Sequence, residues 1–298
     1  LDGLTRTLRP PFRGSAERVD LQWELSAAIS DSGGRRRISG LLIALLVAAA
    51  FFMENLDGTV IATALPQMAV SFGANPVDLN TGMTVYLLML AVFIPVSGWL
   101  ADRLGARTVF SSAIAIFTIS SIVCGFSQNV WQFTAARVVQ GIGGAMMVPV
   151  GRIILLRTVP KAELVDALAW LTIPALIGPL VGPPVGGFIT DTVGWRWVFW
   201  MNLPFGILAF VLATVLMPDT RVEDVPKLDT VGFMLSGLGL SSFIFGLTIL
   251  GRDLLPGWTP TLLLIFGLVL VGFYVRHALT TPNPILDLRL LRIETFRA

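Results

Sequence analysis

Four residues in this sequence could do chemistry in places where their types are costly. Glu54, Asn55 and Asp57 stand in FFMENLDGTVIATALP at 51–66, directly after the apolar run LLIALLVAAA at 41–50. Arg137 opens RVVQGIGGA at 137–145, again among apolar residues. If these segments cross a bilayer, each acid costs about 2.5–3.5 kcal/mol at the centre. The flanking Leu, Ile and Phe offset this at about 0.3–0.6 kcal/mol each, so the helix still inserts. Glu54 and Asp57 are three residues apart and share a helix face. Two acids held together away from water can bind and release a proton near neutral pH, as a proton-driven carrier requires. Arg137 is the available counter-charge. A fixed ion pair that holds helices together is the competing account, and for Glu54 so is recognition of a cationic substrate. Met53, Asn55 and Gln140, on the same two segments, are candidate walls of a substrate cavity, with plain core packing as the competing role for methionines.

The whole chain is built to hold such groups at depth. Of its 298 residues 54% are hydrophobic and 13% charged, and its mean hydropathy is +0.78. Soluble domains carry about 25% charged residues. Apolar windows of about 20 residues recur, each able to cross about 30 Å of hydrocarbon. Eight spans are expected, near 40–66, 80–100, 107–127, 131–156, 167–190, 197–217, 230–250 and 260–279. All must be helices, because lipid leaves an open strand's backbone unpaired. With the N-terminus in the cytoplasm, eighteen Lys and Arg residues fall inside and two, Arg196 and Arg252, outside. That asymmetry orients the chain. Arg35, Arg36 and Arg37 read as anchors for anionic headgroups rather than as a nucleic-acid patch. One cysteine, Cys124, rules out a disulfide framework within the chain, and one histidine, His277, argues against a metal site. Both read as structural.

GWLADRLGAR from Gly98 and GFITDTVGWR from Gly187 align Gly98, Asp102, Gly105 and Arg107 with Gly187, Asp191, Gly194 and Arg196 at a single offset. Three spans separate the copies, which places them on opposite membrane faces, as in an inverted repeat of three helices plus three. In each copy Asp, Gly and Arg would form a charged clasp around the turn, either structural or gating. Gly178, Gly182 and Gly186 recur every fourth residue beside Pro179, Pro183 and Pro184. This is a packing seam, or a hinge and seal against a second half. Trp195, Trp197 and Trp200 read as an interfacial belt. GIGGAM lacks the third glycine of a dinucleotide loop and follows no strand, and no GxxxxGK[ST] is present to bind a nucleotide.

Taken in order, these segments resemble the major facilitator superfamily, and within it the fourteen-helix drug:proton antiporters. LDGTVIATALP at 56–66 is similar to the first-helix motif, GWLADRLGART at 98–108 to the loop motif between helices 2 and 3, and RVVQGIGGA to the fourth-helix motif. GPLVGPPVGG at 178–187 is similar to the fifth-helix antiporter motif and GWRWVFWMNLPFG at 194–206 to the start of helix 6. Ala106 stands where the loop motif often carries a basic residue. The resemblance implies an all-α integral membrane fold: a six-helix bundle over 40–217, built as a 3+3 inverted repeat. A linker and two extra helices follow over 218–279, then a cytoplasmic loop at 280–298 leading to an absent C-terminal half. Residues 1–39 would be a cytoplasmic tail, and the sequence reads as a fragment. The resemblance further implies proton coupling by Asp57, Glu54 and Arg137. Gating falls to Gly98, Asp102, Arg103, Gly105 and Arg107, and antiport to Gly178, Gly182, Pro183, Gly186 and Gly187.

The expected function is proton-coupled efflux of hydrophobic or cationic small molecules by alternating access, from the bacterial inner membrane, with no cofactor and no enzymatic step. The expected partners are substrate, protons and lipid, with no nucleic acid; the chain would act as a monomer, and an envelope efflux assembly is a candidate partner. A carrier of the same fold for a metabolite, siderophore or ion is the alternative, followed by a membrane scaffold or sensor that transports nothing.

Overall fold

The computed structural model describes residues 40–161, 163–222, 224–250 and 256–289. The expected tail at 1–39 with its arginines, Arg252 and residues 290–298 lie outside the described residues. Among the described residues all regular structure is helical. Among these residues eight helices are long and apolar enough to cross a membrane: α1 (Gly40–Phe72), α2 (Pro76–Leu104), α3 (Ala106–Phe126), α4 (Val130–Thr158), α5 (Leu164–Thr192), α6 (Trp197–Leu216), α7 (Thr230–Ile249) and α8 (Thr259–Thr280). They coincide with the eight expected spans, but α1, α2, α4 and α5 run to 29–33 residues. At 1.5 Å per residue these reach beyond about 30 Å of hydrocarbon.

Local chemistry sets the starts. Asn75 caps α2 by accepting from the Val77 N–H at 3.2 Å, and Asn129 caps α4 by accepting from the Gln132 N–H at 2.9 Å. Pro76 follows its cap directly, where a missing N–H costs nothing. α6 is interrupted at Met201, between a turn at Trp197–Trp200 and the helix Asn202–Leu216. Pro204 has no N–H to offer the Trp200 carbonyl, so the ladder breaks there.

α1 lies along α5, and α4 packs against both α2 and α3. α3 also packs on α6, whereas α7 and α8 pair with each other and attach to the rest through α2. The α1–α5 seam is the glycine stripe. A methyl on Gly178 would sit 3.0 Å from Asn55 Cβ, one on Gly182 would collide with Thr59 Oγ1, and one on Gly186 would lie 2.8 Å from the Val60 carbonyl oxygen. The stripe therefore closes on α1 of the same chain, rather than facing outward toward a second half. Pro179, Pro183 and Pro184 are exposed. GIGGA makes two further close approaches: a methyl on Gly141 would sit 2.7 Å from the Tyr86 carbonyl oxygen of α2, and one on Gly143 would sit 2.9 Å from the Phe117 backbone nitrogen of α3.

The two repeat copies share a backbone turn: Gly105 has φ 93° and Gly194 φ 97°, a region where side chains are strained. Their charges differ from expectation. Asp102 pairs with Arg157 at the end of α4, at 2.5 Å, and not with a basic residue of its own loop. Arg107 makes no ion pair among the described residues. Arg196 stacks over the Trp195 ring at 4.4 Å. The clasp therefore forms across helices, between the end of α2 and the end of α4.

The tryptophan belt is corrected likewise. Trp195 is only 4% exposed, packed edge-on against Phe72 and Phe199, whereas Trp197 is 50% exposed. The turn after Gly194 tucks Trp195 under the end of α1, so burial of a large ring outweighs an interfacial position.

Candidate functional site

Where α1, α4 and α6 meet, one carboxylate gathers three donors. Asp57 Oδ2 accepts from Arg137 Nη1 at 2.6 Å. Its Oδ1 accepts from Gln140 Nε2 at 3.1 Å and from Asn202 Nδ2 at 2.7 Å. Gln140 Oε1 in turn accepts from Arg137 Nη1 at 2.7 Å. Arg137 lies over the Tyr86 ring, 4.2 Å from its centroid. Asn202 also donates to Ser121 Oγ at 3.0 Å, and Ser121 donates to the Phe199 carbonyl at 2.9 Å. Asp57, Arg137, Gln140, Asn202 and Ser121 are all buried. Arg137 and Gln140 share a face of α4 at i, i+3, so one helix presents both the cation and an amide to Asp57. The break in α6 brings Asn202 into reach.

Glu54 sits one turn away on α1, beside Tyr86 and Gly144. Its Oε2 is buried without a hydrogen-bond partner, as is Arg137 Nε. The expected pair of neighbouring acids is thus split: Asp57 is fully bonded, and Glu54 has an oxygen to spare. The candidate cavity walls Met53, Asn55 and Gln140 lie on α1 and α4. Met53 and Gln140 are packed inside the bundle, and Asn55 donates to its own helix at the Phe51 carbonyl, 2.8 Å away, under Gly178.

A cleft of about 940 Å³ opens at the end of the bundle that holds the α2–α3 turn. Gly98, Trp99, Asp102, Arg152, Lys227 and Asp229 line it. The α6–α7 linker straps this end. The Val222 N–H donates to the Asp102 carbonyl at 3.2 Å, Arg221 Nε to the Leu104 carbonyl at 3.1 Å, and Trp99 Nε1 to the Pro226 carbonyl at 2.8 Å. Arg103 lies over the Trp99 ring at 5.2 Å. A methyl on Gly105 would collide with Asp219, so the strap also needs that glycine. Gly98 and Gly187 stand apart from these contacts, and a methyl on Gly187 would meet nothing within 4 Å. Beyond the strap, Asp229 caps α7 at the Gly232 N–H and binds His277 Nε2 at 2.8 Å, tying the start of α7 to the end of α8. Desolvation opposes the charged form of Asp229, but the N–H groups of Gly232 and Ile285 and the His277 ring hold its carboxyl below the usual range.

Asn202, Ser121 and Tyr86 were not singled out by sequence. The signal for Asn202 was a lone amide beside Pro204 in an otherwise apolar segment, a pattern indistinguishable in sequence from a cap.

A model of the Major Facilitator Superfamily matches residues 47–282. The chain is 41% identical over 257 residues to "Putative multidrug resistance protein MdtD" of Serratia proteamaculans, covering 85% of this chain and 53% of that protein. It is 37% identical over 251 residues to the protein of the same name from Citrobacter koseri, and 39% identical over 251 residues to that from Salmonella typhimurium. Each of these two matches covers 84% of this chain and 53% of the relative. The chain spans about half the length of the curated relatives it matches. Eight apolar helices and a family match over most of their length lead to one conclusion: the chain is a multi-pass membrane protein that belongs to the major facilitator superfamily.

Proposed function

We propose that this chain forms the first half and the added helix pair of a proton-coupled exporter of hydrophobic or cationic small molecules, working by alternating access. The observation that carries the reading is the buried Asp57–Arg137 pair at 2.6 Å, set within helices long enough to span a bilayer. A buried ion pair is weak evidence for stability, because well-packed apolar residues do as well. A carboxylate with a cation beside it at membrane depth is a proton site that substrate or conformation can empty. Glu54, with a buried unpartnered oxygen, is the group for a cationic substrate. The names of the MdtD relatives, which speak of multidrug resistance, favour such substrates over a single metabolite.

In this reading residues 40–217 make the bundle, 218–279 the linker and two added helices, and a second half supplies the facing cavity wall. Gly98, Asp102, Arg103, Gly105 and Arg107 gate one end through the clasp to Arg157, and Gly178, Gly182, Pro183, Gly186 and Gly187 form the α1–α5 seam and its turn. The basic residues of the strapped end face the cytoplasm, as headgroup charge favours. The test is efflux of ethidium from proteoliposomes holding the intact transporter under an imposed pH gradient. Asp57→Asn abolishes gradient-driven efflux; efflux at the wild-type rate by that variant overturns the reading.

A further inference from the structure

Two amides donate to Asp57 Oδ1, and they differ in freedom. Gln140 is locked. Its Nε2 faces Asp57 at 3.1 Å, and its Oε1 already accepts from Arg137 Nη1 at 2.7 Å and from Cys124 Sγ at 3.6 Å. Turning this amide over would set its NH2 against a guanidinium, donor against donor, because arginine offers no acceptor. Asn202 carries no such constraint. Its Nδ2 lies between Asp57 Oδ1 at 2.7 Å and Ser121 Oγ at 3.0 Å, one hydrogen for each. Ser121 passes its own hydrogen to the Phe199 carbonyl. A hydroxyl both donates and accepts, so Ser121 suits either orientation of Asn202.

All three partners of Asp57 donate, which fits a carboxylate. An acid O–H in the same place needs an acceptor, and a buried donor without one is costly. Arg137 has none to give, and the Gln140 oxygen is engaged. The titratable and charged groups facing the site are Glu54 on α1, Tyr86 on α2, Cys124 on α3 and Arg137 on α4. At this level α5 meets α1 with glycines, and α6 brings Asn202 itself. Of the three groups bonded to Asp57, Asn202 alone can turn its oxygen to the acid, and Ser121 then releases Phe199 to donate to that same oxygen.

We propose that Asn202 is the positioning residue that lets Asp57 hold either charge, donating to the carboxylate and turning its amide to accept from the acid. This rests on the reading of Asp57 as the proton site. Infrared difference spectroscopy of the intact reconstituted transporter across a pH titration tests it, with the proton itself as the probe. Asp57→Asn identifies the protonated-carboxyl band of Asp57 by removing it. Hydrogen bonds to a charged group are roughly twice as strong as neutral ones, so Asn202→Leu loses more from the carboxylate than from the acid. The half-protonation point of the band then moves to higher pH by about one unit, tenfold in proton affinity. Asn202→Ser, whose hydroxyl donates and accepts, restores the wild-type midpoint, and Asn202→Ala replaces leucine if the larger side chain does not fit. A midpoint unchanged or lowered in the Leu or Ala variant overturns the inference and leaves Asp57 as the proton site. A band that survives Asp57→Asn overturns the reading beneath it as well.

Discussion

Asp57–Arg137 and Asp102–Arg157 are the same chemical pair at nearly the same distance, 2.6 and 2.5 Å. Their surroundings make them different objects. The first has side chains 1% exposed on both partners, and the second 32% and 36%. Taking charges out of water costs several kcal/mol per ion, so the first pair survives only because Gln140 and Asn202 complete it. The second keeps its hydration, and its attraction is screened by salt. Length alone says nothing about worth; depth decides it. A deep pair suits a state that changes with protonation, and a shallow one suits a contact that opens and closes.

The sharpest way to break the comparison is to remove one partner at depth. Arg137→Leu leaves an uncompensated buried carboxylate and destabilises by about 3–5 kcal/mol, read from unfolding in mixed micelles. The double change Asp57→Leu, Arg137→Leu recovers most of that loss, since the site then packs as apolar core; failure to recover would mean that the pair is needed for folding. A smaller effect is expected where backbones touch. Gly186→Ala drives a methyl to 2.8 Å from the Val60 carbonyl oxygen on α1 and costs about 1–3 kcal/mol. Gly187→Ala, with open space beside it, stays within about 0.5 kcal/mol. At the shallow pair, Asp102→Ala costs at most about 1 kcal/mol, and less in high salt. Equal losses for Asp102→Ala and Arg137→Leu would erase the distinction. The smallest effect concerns Asp229, whose carboxyl is held below the usual range. A depressed carboxyl contributes stability that is present above its unfolded value of about 3.9 and is lost as pH falls through the folded value. Acidification below about pH 4 therefore loosens the α7–α8 tie in the wild type, and Asp229→Asn removes that dependence. Hydrogen exchange at the start of α7 reads it.

The spans were legible because lipid enforces one rule: an apolar stretch of about 20 residues must become a helix. Their number came through, and their lengths less well, since α2 starts four residues before its apolar window and α1 runs six residues past its own. The pairing of Asp57 with Arg137 was legible from charge alone, because two opposite charges at depth have few other partners. The turn glycines were legible too, as Gly105 and Gly194 share one backbone conformation. Illegible residues depend on what is near in space but far in sequence. Arg157 is 55 positions from Asp102, and Asn202 is 145 from Asp57. Trp195 misled because an aromatic residue beside a turn reads as interfacial until its neighbours Phe72 and Phe199 are known. The face of the glycine stripe was ambiguous because spacing defines a seam without naming the helix across it.

The central claim is that Asp57 exchanges a proton when substrate binds. Its most direct test is the proton count on adding ethidium to the purified intact transporter in weakly buffered detergent solution. Wild-type protein releases protons on binding, and Asp57→Asn binds ethidium with no release. Release by Asp57→Asn equal to that of the wild type would contradict the account.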